Sequence, residues 1–303
     1  MADHHHHHHH HADASERRLL IALILIGGLM VAELVVGLVT NSLALVSDSA
    51  HMLTDAIALG VALVVARLAR RPAAGQMTYG LKRAEILSAQ FNGATLLIVG
   101  LFIVYEGIRR LVDPPDVPGT PLVVMALIGV VVNLAATLTL AGADRRSLNV
   151  EGAFQHVLTD LAAFALTAVA GIVILTTGWH QADGVAALII AAIMLRAAYG
   201  LLKASGRVFL EAAPLETDVE AVGHAMAAHA GVVEVHDLHV WEVTSGFPAL
   251  SAHVTVRRDI DCHAIRRDLE TLLAADFGLD HTTLQVDHEG GELLHIRTAP
   301  DGP

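Results

Sequence analysis

Six long apolar runs constrain this chain more than any other feature: Leu19–Val39, Leu43–Ala66, Ala84–Tyr105, Leu122–Leu140, Gly152–Thr177 and Gly184–Leu202. A helix needs about 20 apolar residues to cross the hydrocarbon of a bilayer. Lipid cannot satisfy backbone N–H and C=O groups, so a spanning run must bond within itself as a helix. A six-helix transmembrane bundle, mainly α, is therefore expected. The composition agrees, with 54% hydrophobic and only 17% charged residues. The first run is followed by further runs rather than by a secreted domain, so no cleavable signal peptide is read.

The basic residues orient the bundle. Arg17 and Arg18 precede the first run; Arg67, Arg70, Arg71, Lys82 and Arg83 separate the second from the third. Arg145 and Arg146 separate the fourth from the fifth, and Lys203 and Arg207 follow the sixth. The first-to-second and fifth-to-sixth connections hold no Lys or Arg. By the positive-inside rule both termini are cytoplasmic, against the vote of Arg109 and Arg110 on the other side. The expected location is a bacterial inner membrane.

After Arg207 the pattern changes. Residues 216–229 read as an amphipathic helix, Val233–Val243 and Pro248–Val256 as strands about the turn Ser245-Gly246, 262–275 as a helix and Thr282–Val286 as a short strand. That order predicts a small α+β domain with its helices on one face of a sheet. The expected organisation is a His-rich segment at 1–16, a transport domain at 17–207, a cytoplasmic domain at 208–298 and a tail at 299–303. Residues 208–303 hold 17 Asp/Glu against 5 Arg, which accounts for the whole net charge of −12. Such a surface repels nucleic acid and gathers cations. The run His4–His11 reads equally as an expression tag or as a natural tract that loosely collects metal.

Ionisable groups inside a span are expensive, about 2.5–3.5 kcal/mol each on insertion scales, and so call for a reason. The second span carries His51-x-x-x-Asp55 and the fifth carries His156-x-x-x-Asp160. Residues four apart share a helix face, so two such helices facing each other would aim two imidazoles and two carboxylates at one point. Four N/O ligands in a tetrahedron suit zinc, and two carboxylates neutralise its charge where the dielectric is low. The single cysteine, Cys262, excludes an intrachain disulfide and any four-cysteine site. Imidazole argues against magnesium or calcium, and the lack of thiolates against copper(I). One His–Asp pair would read as readily as a structural hydrogen bond; two copies with the same spacing favour ligands.

On these residues the chain resembles the cation diffusion facilitator family, in its zinc-type, proton-coupled branch. Asn41-Ser42-Leu43-Ala44-Leu45 through Ala50-His51-Met52-Leu53-Thr54-Asp55 matches the family's second span, and His156-x-x-x-Asp160 its fifth. His236-Asp237-Leu238-His239-Val240-Trp241 and Asp280-His281-Thr282-Thr283-Leu284-Gln285-Val286 match its cytoplasmic domain. The resemblance implies a homodimer, a ferredoxin-like, metallochaperone-like cytoplasmic domain, and efflux of zinc in exchange for protons by alternating access, with cadmium or cobalt tolerated. It implies a transport site at His51, Asp55, His156 and Asp160, and a regulatory zinc site at His236, His253, His263 and Asp287, with no organic cofactor. Where relatives can carry loop ligands between the second and third spans, this chain has Met77 and Leu81, so no loop site is expected.

His236 and His239, three apart on an expected strand, should point to opposite faces. His239, His281 and His288 read as surface or packed residues, and Cys262 as a small packed or surface residue. Asp48 and Asn133 could relay protons or bond between helices. Two other classes compete with a transporter. An intramembrane metalloprotease would use such a site to activate water, but no His-Glu-x-x-His is present. A membrane metal sensor would signal through the acidic tail, and a transport assay separates it from an exporter.

Overall fold

The computed structural model describes residues 6–39, 43–114 and 119–290, with side chains for 14–36, 38–39, 49, 52–114 and 123–290. The chain divides into two compact units, Met1–Leu210 with Thr244–Gly246, and Glu211–Val243 with Phe247–Pro303.

The first unit is six helices: α1 (His6–Val39), α2 (Leu43–Ala69), α3 (Ala84–Val112), α4 (Gly119–Ala141), α5 (Leu148–Thr177) and α6 (Gln181–Phe209). Each contains a stretch long and apolar enough to cross a membrane, as the six runs predict. Their outer faces are apolar too: Ile24, Ile98, Phe102, Val131 and Leu138 are each more than 60% exposed, a surface for acyl chains.

The helices pack in two groups. Leu19 and Ile26 of α1, Met52 and Leu59 of α2, Leu140 of α4 and Val157 of α5 close one core. The other group is the pair α3–α6, where Leu96 meets Ile190, Met194 and Ala198. The seam of that pair is written in glycine. A Cβ on Gly93, Gly100 or Gly107 would come within 3.0 Å of Leu202, Leu195 or Leu188 respectively. Both sets repeat every seven residues in opposite directions, so each leucine fills the notch left by one glycine. Lipid is as apolar as leucine and gives no hydrophobic drive to helix pairing, so close van der Waals approach through small residues has to supply the attraction.

The helix α3 runs past Tyr105, where its apolar run ends. Glu106 accepts from Arg110 and Arg109 at 3.2 and 3.3 Å, one turn on, and Arg110 also pairs with Asp183 of α6. Charges satisfied in this way let the helix continue to Val112.

The second unit runs α7 (Val219–Ala227), β1 (Val232–Thr244), β2 (Phe247–Val256), α8 (Cys262–Phe277) and β3 (His281–His288), in the expected order. The sheet order is β1-β2-β3. β2 and β3 are parallel, in register from Ala249↔His281 to Val256↔His288; a parallel pair needs a crossover, which α8 supplies. Leu250, Ala252, Val254 and Val256 alternate onto one face and pack with Val222 and Met226 of α7 and Leu269 and Leu273 of α8. Asp218 and Asp261 cap the two helices by accepting backbone N–H bonds. Those bonds from His263 and Ala264 hold the Asp261 carboxyl below its usual range.

Candidate metal sites

The helices α2 and α5 meet at a buried polar group. Asp55 and His156 are 6% and 5% exposed, and His156 Nε2 lies 2.9 Å from Asp55 Oδ1. Asp160 Oδ2, one turn along α5, stands 4.0 Å from the same nitrogen. One ligand atom from each of the three lies within 4.8 Å of the others. A tetrahedral zinc ion places its ligand atoms about 3.4 Å apart, so a small inward movement of Asp160 would complete three of four contacts. The fourth expected ligand, His51, is on α2 one turn before Asp55, and its side chain lies outside the described residues, as does that of Asp48. His156 Nδ1 has no hydrogen-bond partner among the described residues.

The neighbouring turns hold the two helices together. Two turns from Asp55 and from His156, Asn149 Nδ2 donates to the Ala62 carbonyl at 2.8 Å and ties α5 to α2. The Thr159 hydroxyl donates to the His156 carbonyl at 2.6 Å. At the start of α5, Arg145 lies over the Phe154 ring, 3.8 Å from its centroid. It also donates to Glu151 at 2.7 Å, which raises the guanidinium pKa. Asn133, a candidate relay or link between helices on sequence grounds, instead donates within its own helix to the Gly129 carbonyl at 3.1 Å.

The soluble unit holds a second group, His236, Asp237 and His253, at its surface. The two imidazoles stand 5.3 Å apart between ring centroids. Asp237 is not among the ligands expected from the sequence; its backbone takes φ +50°, a left-handed position uncommon for a residue other than glycine. Val235 and Leu238, three residues apart, consequently both pack on the core. The alternation expected between His236 and His239 is broken there, and both are exposed. Within one chain, His263 and Asp287 are outside this group. His263 opens α8, and Asp287 on β3 accepts from Gln285 at 2.8 Å. His288 bonds the Ile260 carbonyl at 2.9 Å, His281 packs on Phe247, and Cys262 packs against the core.

Comparison with known proteins identifies the family. A family model described as the cation efflux transmembrane domain matches residues 19–210, and one described as the cation efflux protein, cytoplasmic domain, matches 214–289. A Bacillus velezensis protein named cadmium, cobalt and zinc/H(+)-K(+) antiporter is 40% identical over 87% of this chain and 86% of its own. The metal cation efflux system protein CzcD of Cupriavidus metallidurans is 39% identical, covering 92% of this chain and 90% of its own. The zinc transporter ZitB of Pectobacterium atrosepticum is 35% identical, covering 88% and 84%. A solved structure, the metal-bound C-terminal domain of a CzcD transporter, is 32% identical over 23% of this chain and 99% of its own, with a TM-score of 0.23. Six spanning helices, a soluble α+β unit and these matches over nearly the whole length make the chain a transporter of the cation efflux, or cation diffusion facilitator, family.

Proposed function

We propose that the chain is a secondary-active exporter of zinc, with cadmium and cobalt tolerated, that exchanges the metal for protons at His51, Asp55, His156 and Asp160. It works as a homodimer in a bacterial inner membrane, with both termini in the cytoplasm. The observation that carries the reading is the buried Asp55–His156–Asp160 group between α2 and α5. Metal binds imidazole and carboxylate only after their protons leave. The hydrogen bond between His156 Nε2 and Asp55 Oδ1 uses the same atoms that would hold the ion. Proton and metal therefore compete for one set of lone pairs, and release of one accompanies capture of the other. The relative named for zinc/H(+)-K(+) antiport supports this exchange.

The test is zinc flux in proteoliposomes under an imposed pH gradient. The expected result is zinc accumulation that follows the gradient and collapses with a protonophore. Flux indifferent to pH would overturn proton exchange, and no flux would overturn the transport reading.

A regulatory ion in the soluble unit is the second part of the reading. His236 and His253 already converge there with Asp237. His263 and Asp287 would complete ligation after rearrangement or from the other copy. Two such acidic units repel each other, and a divalent cation offsets that repulsion, which is the differential contact a regulator needs.

A further inference from the structure

Asn92 of α3 is 0% exposed, and neither polar atom of its carboxamide has a hydrogen-bond partner among the described residues. It packs directly on α5. A Cβ on Gly152 would stand 3.2 Å from Asn92 Nδ2, and Gly152 lies one turn from His156 toward the end of the bundle that carries Lys82, Arg83 and Arg145. The amide is thus aimed at the side of α5 that bears the metal group, one turn nearer the basic end.

It does not stand alone. Ser88, one turn closer to that end on α3, is 3% exposed, and its hydroxyl has no partner among the described residues either. Asn149, on the His156 side of α5, is 0% exposed; its Nδ2 is bound to Ala62, and its Oδ1 has no partner among the described residues. At the end of the row, Ser147 donates to Glu85 at 3.2 Å. These polar groups lie on successive turns of α3 and α5 between the basic end of the bundle and the Asp55–His156–Asp160 group.

Packing alone does not account for it. An amide or hydroxyl buried without a partner is penalised wherever it sits, and in a membrane polar groups persist where they line a passage or a water-filled cavity. Glycine at 152 lets α3 and α6 approach α5 closely, since a Cβ there would also stand 3.2 Å from Leu201. We propose that Asn92, with Ser88 and Asn149, lines the passage by which the metal ion and protons reach the transport site from the basic end of the bundle. This rests on the transport reading above. Neutral oxygens suit such a passage, because they replace part of the hydration shell of a dication yet hold it weakly enough to pass it on. A carboxylate there would bind the ion and slow its release.

The experiment compares zinc flux and equilibrium zinc binding in wild type and Asn92→Leu. The expected result is an initial rate at least roughly tenfold lower, an affinity within about twofold of wild type and an unfolding temperature no lower. Flux within about twofold of wild type overturns the proposal. So does an affinity loss that matches the flux loss, which would make Asn92 a ligand, and so does a fall in unfolding temperature that accounts for the lost flux. A second variant decides the matter if leucine prevents folding. Asn92→Cys in a Cys262→Ser background should react with a membrane-impermeant cationic thiol reagent from the basic side only, and zinc should slow the reaction. A cysteine that never reacts, or reacts equally from both sides, overturns the passage. Wild-type vesicles that carry no zinc overturn the transport reading itself, whereas wild-type flux with an indifferent Asn92→Leu overturns the passage alone.

Discussion

Two seams inside the bundle are built on opposite principles. Between α3 and α6, glycines 93, 100 and 107 receive leucines 202, 195 and 188, and interlocked shape runs along the seam, with Arg110–Asp183 and Ser205–Gln90 pairs toward its two ends. Between α2 and α5, Asp55 meets His156, and Asn149 reaches a backbone carbonyl. A seam of interlocked shape has one good arrangement, because close-packed surfaces tolerate little sliding. A seam of hydrogen bonds in a low dielectric has several, since each carboxylate or imidazole lone pair can trade its donor for a proton, a water or a metal ion. The first seam suits a rigid part of the machine and the second a part that changes state.

The largest expected effect falls on the polar seam. Asp55→Ala or Asp160→Ala should reduce zinc flux to background while the protein stays inserted and folded, as read by circular dichroism and gel filtration. Near-normal flux in either would sink the four-ligand site. On the other seam, Gly100→Leu should act through packing: overfilling costs about 1–3 kcal/mol, so the unfolding temperature should fall while zinc affinity of the folded fraction is kept. Lost affinity at unchanged stability would erase the contrast. His51→Asp, back on the polar seam, should leave flux in place but widen the range of metals, because carboxylates discriminate less than imidazoles by softness; an unchanged order in competition assays would count against a ligand at that position.

Smaller effects lie away from both seams. Zinc should shorten the distance between spin labels on the two soluble units of a dimer, and His253→Ala with His263→Ala should weaken that response. Unchanged distances in the unmutated protein would end the regulatory reading and leave transport intact. Residues 67–83 contain no His, Cys, Asp or Glu, so a structure determined in excess zinc should place no ion there.

Much of this is legible in the sequence. Long runs without charge must be helices in a bilayer, and two His-x-x-x-Asp motifs inside such runs are too costly to be incidental. The order of helices and strands after Arg207 follows from periodicity. What cannot be read there depends on contacts between distant segments. Asn92 looks like an ordinary polar residue until Gly152 is placed against it. Asp237 breaks the alternation of β1 through a left-handed backbone that periodicity does not announce. The third helix outruns its apolar stretch because Arg110 finds Glu106 on its own helix and Asp183 on another.

The glycine–leucine seam also bears on how the protein is made. Its two sides lie on the third and sixth helices, so the last span to leave the ribosome is the one that fills the notches of the third. Until it arrives, α3 presents a row of bare glycines to lipid and is held on one side only, through Asn92 against Gly152 and Glu85 with Ser147. Membrane insertion therefore ends with a docking step that joins segments far apart in the chain, and slow closure is the usual consequence of such long-range contacts. A nascent chain stopped after α5 should carry its metal ligands and yet lack a settled third helix, the kind of intermediate that membrane quality control removes.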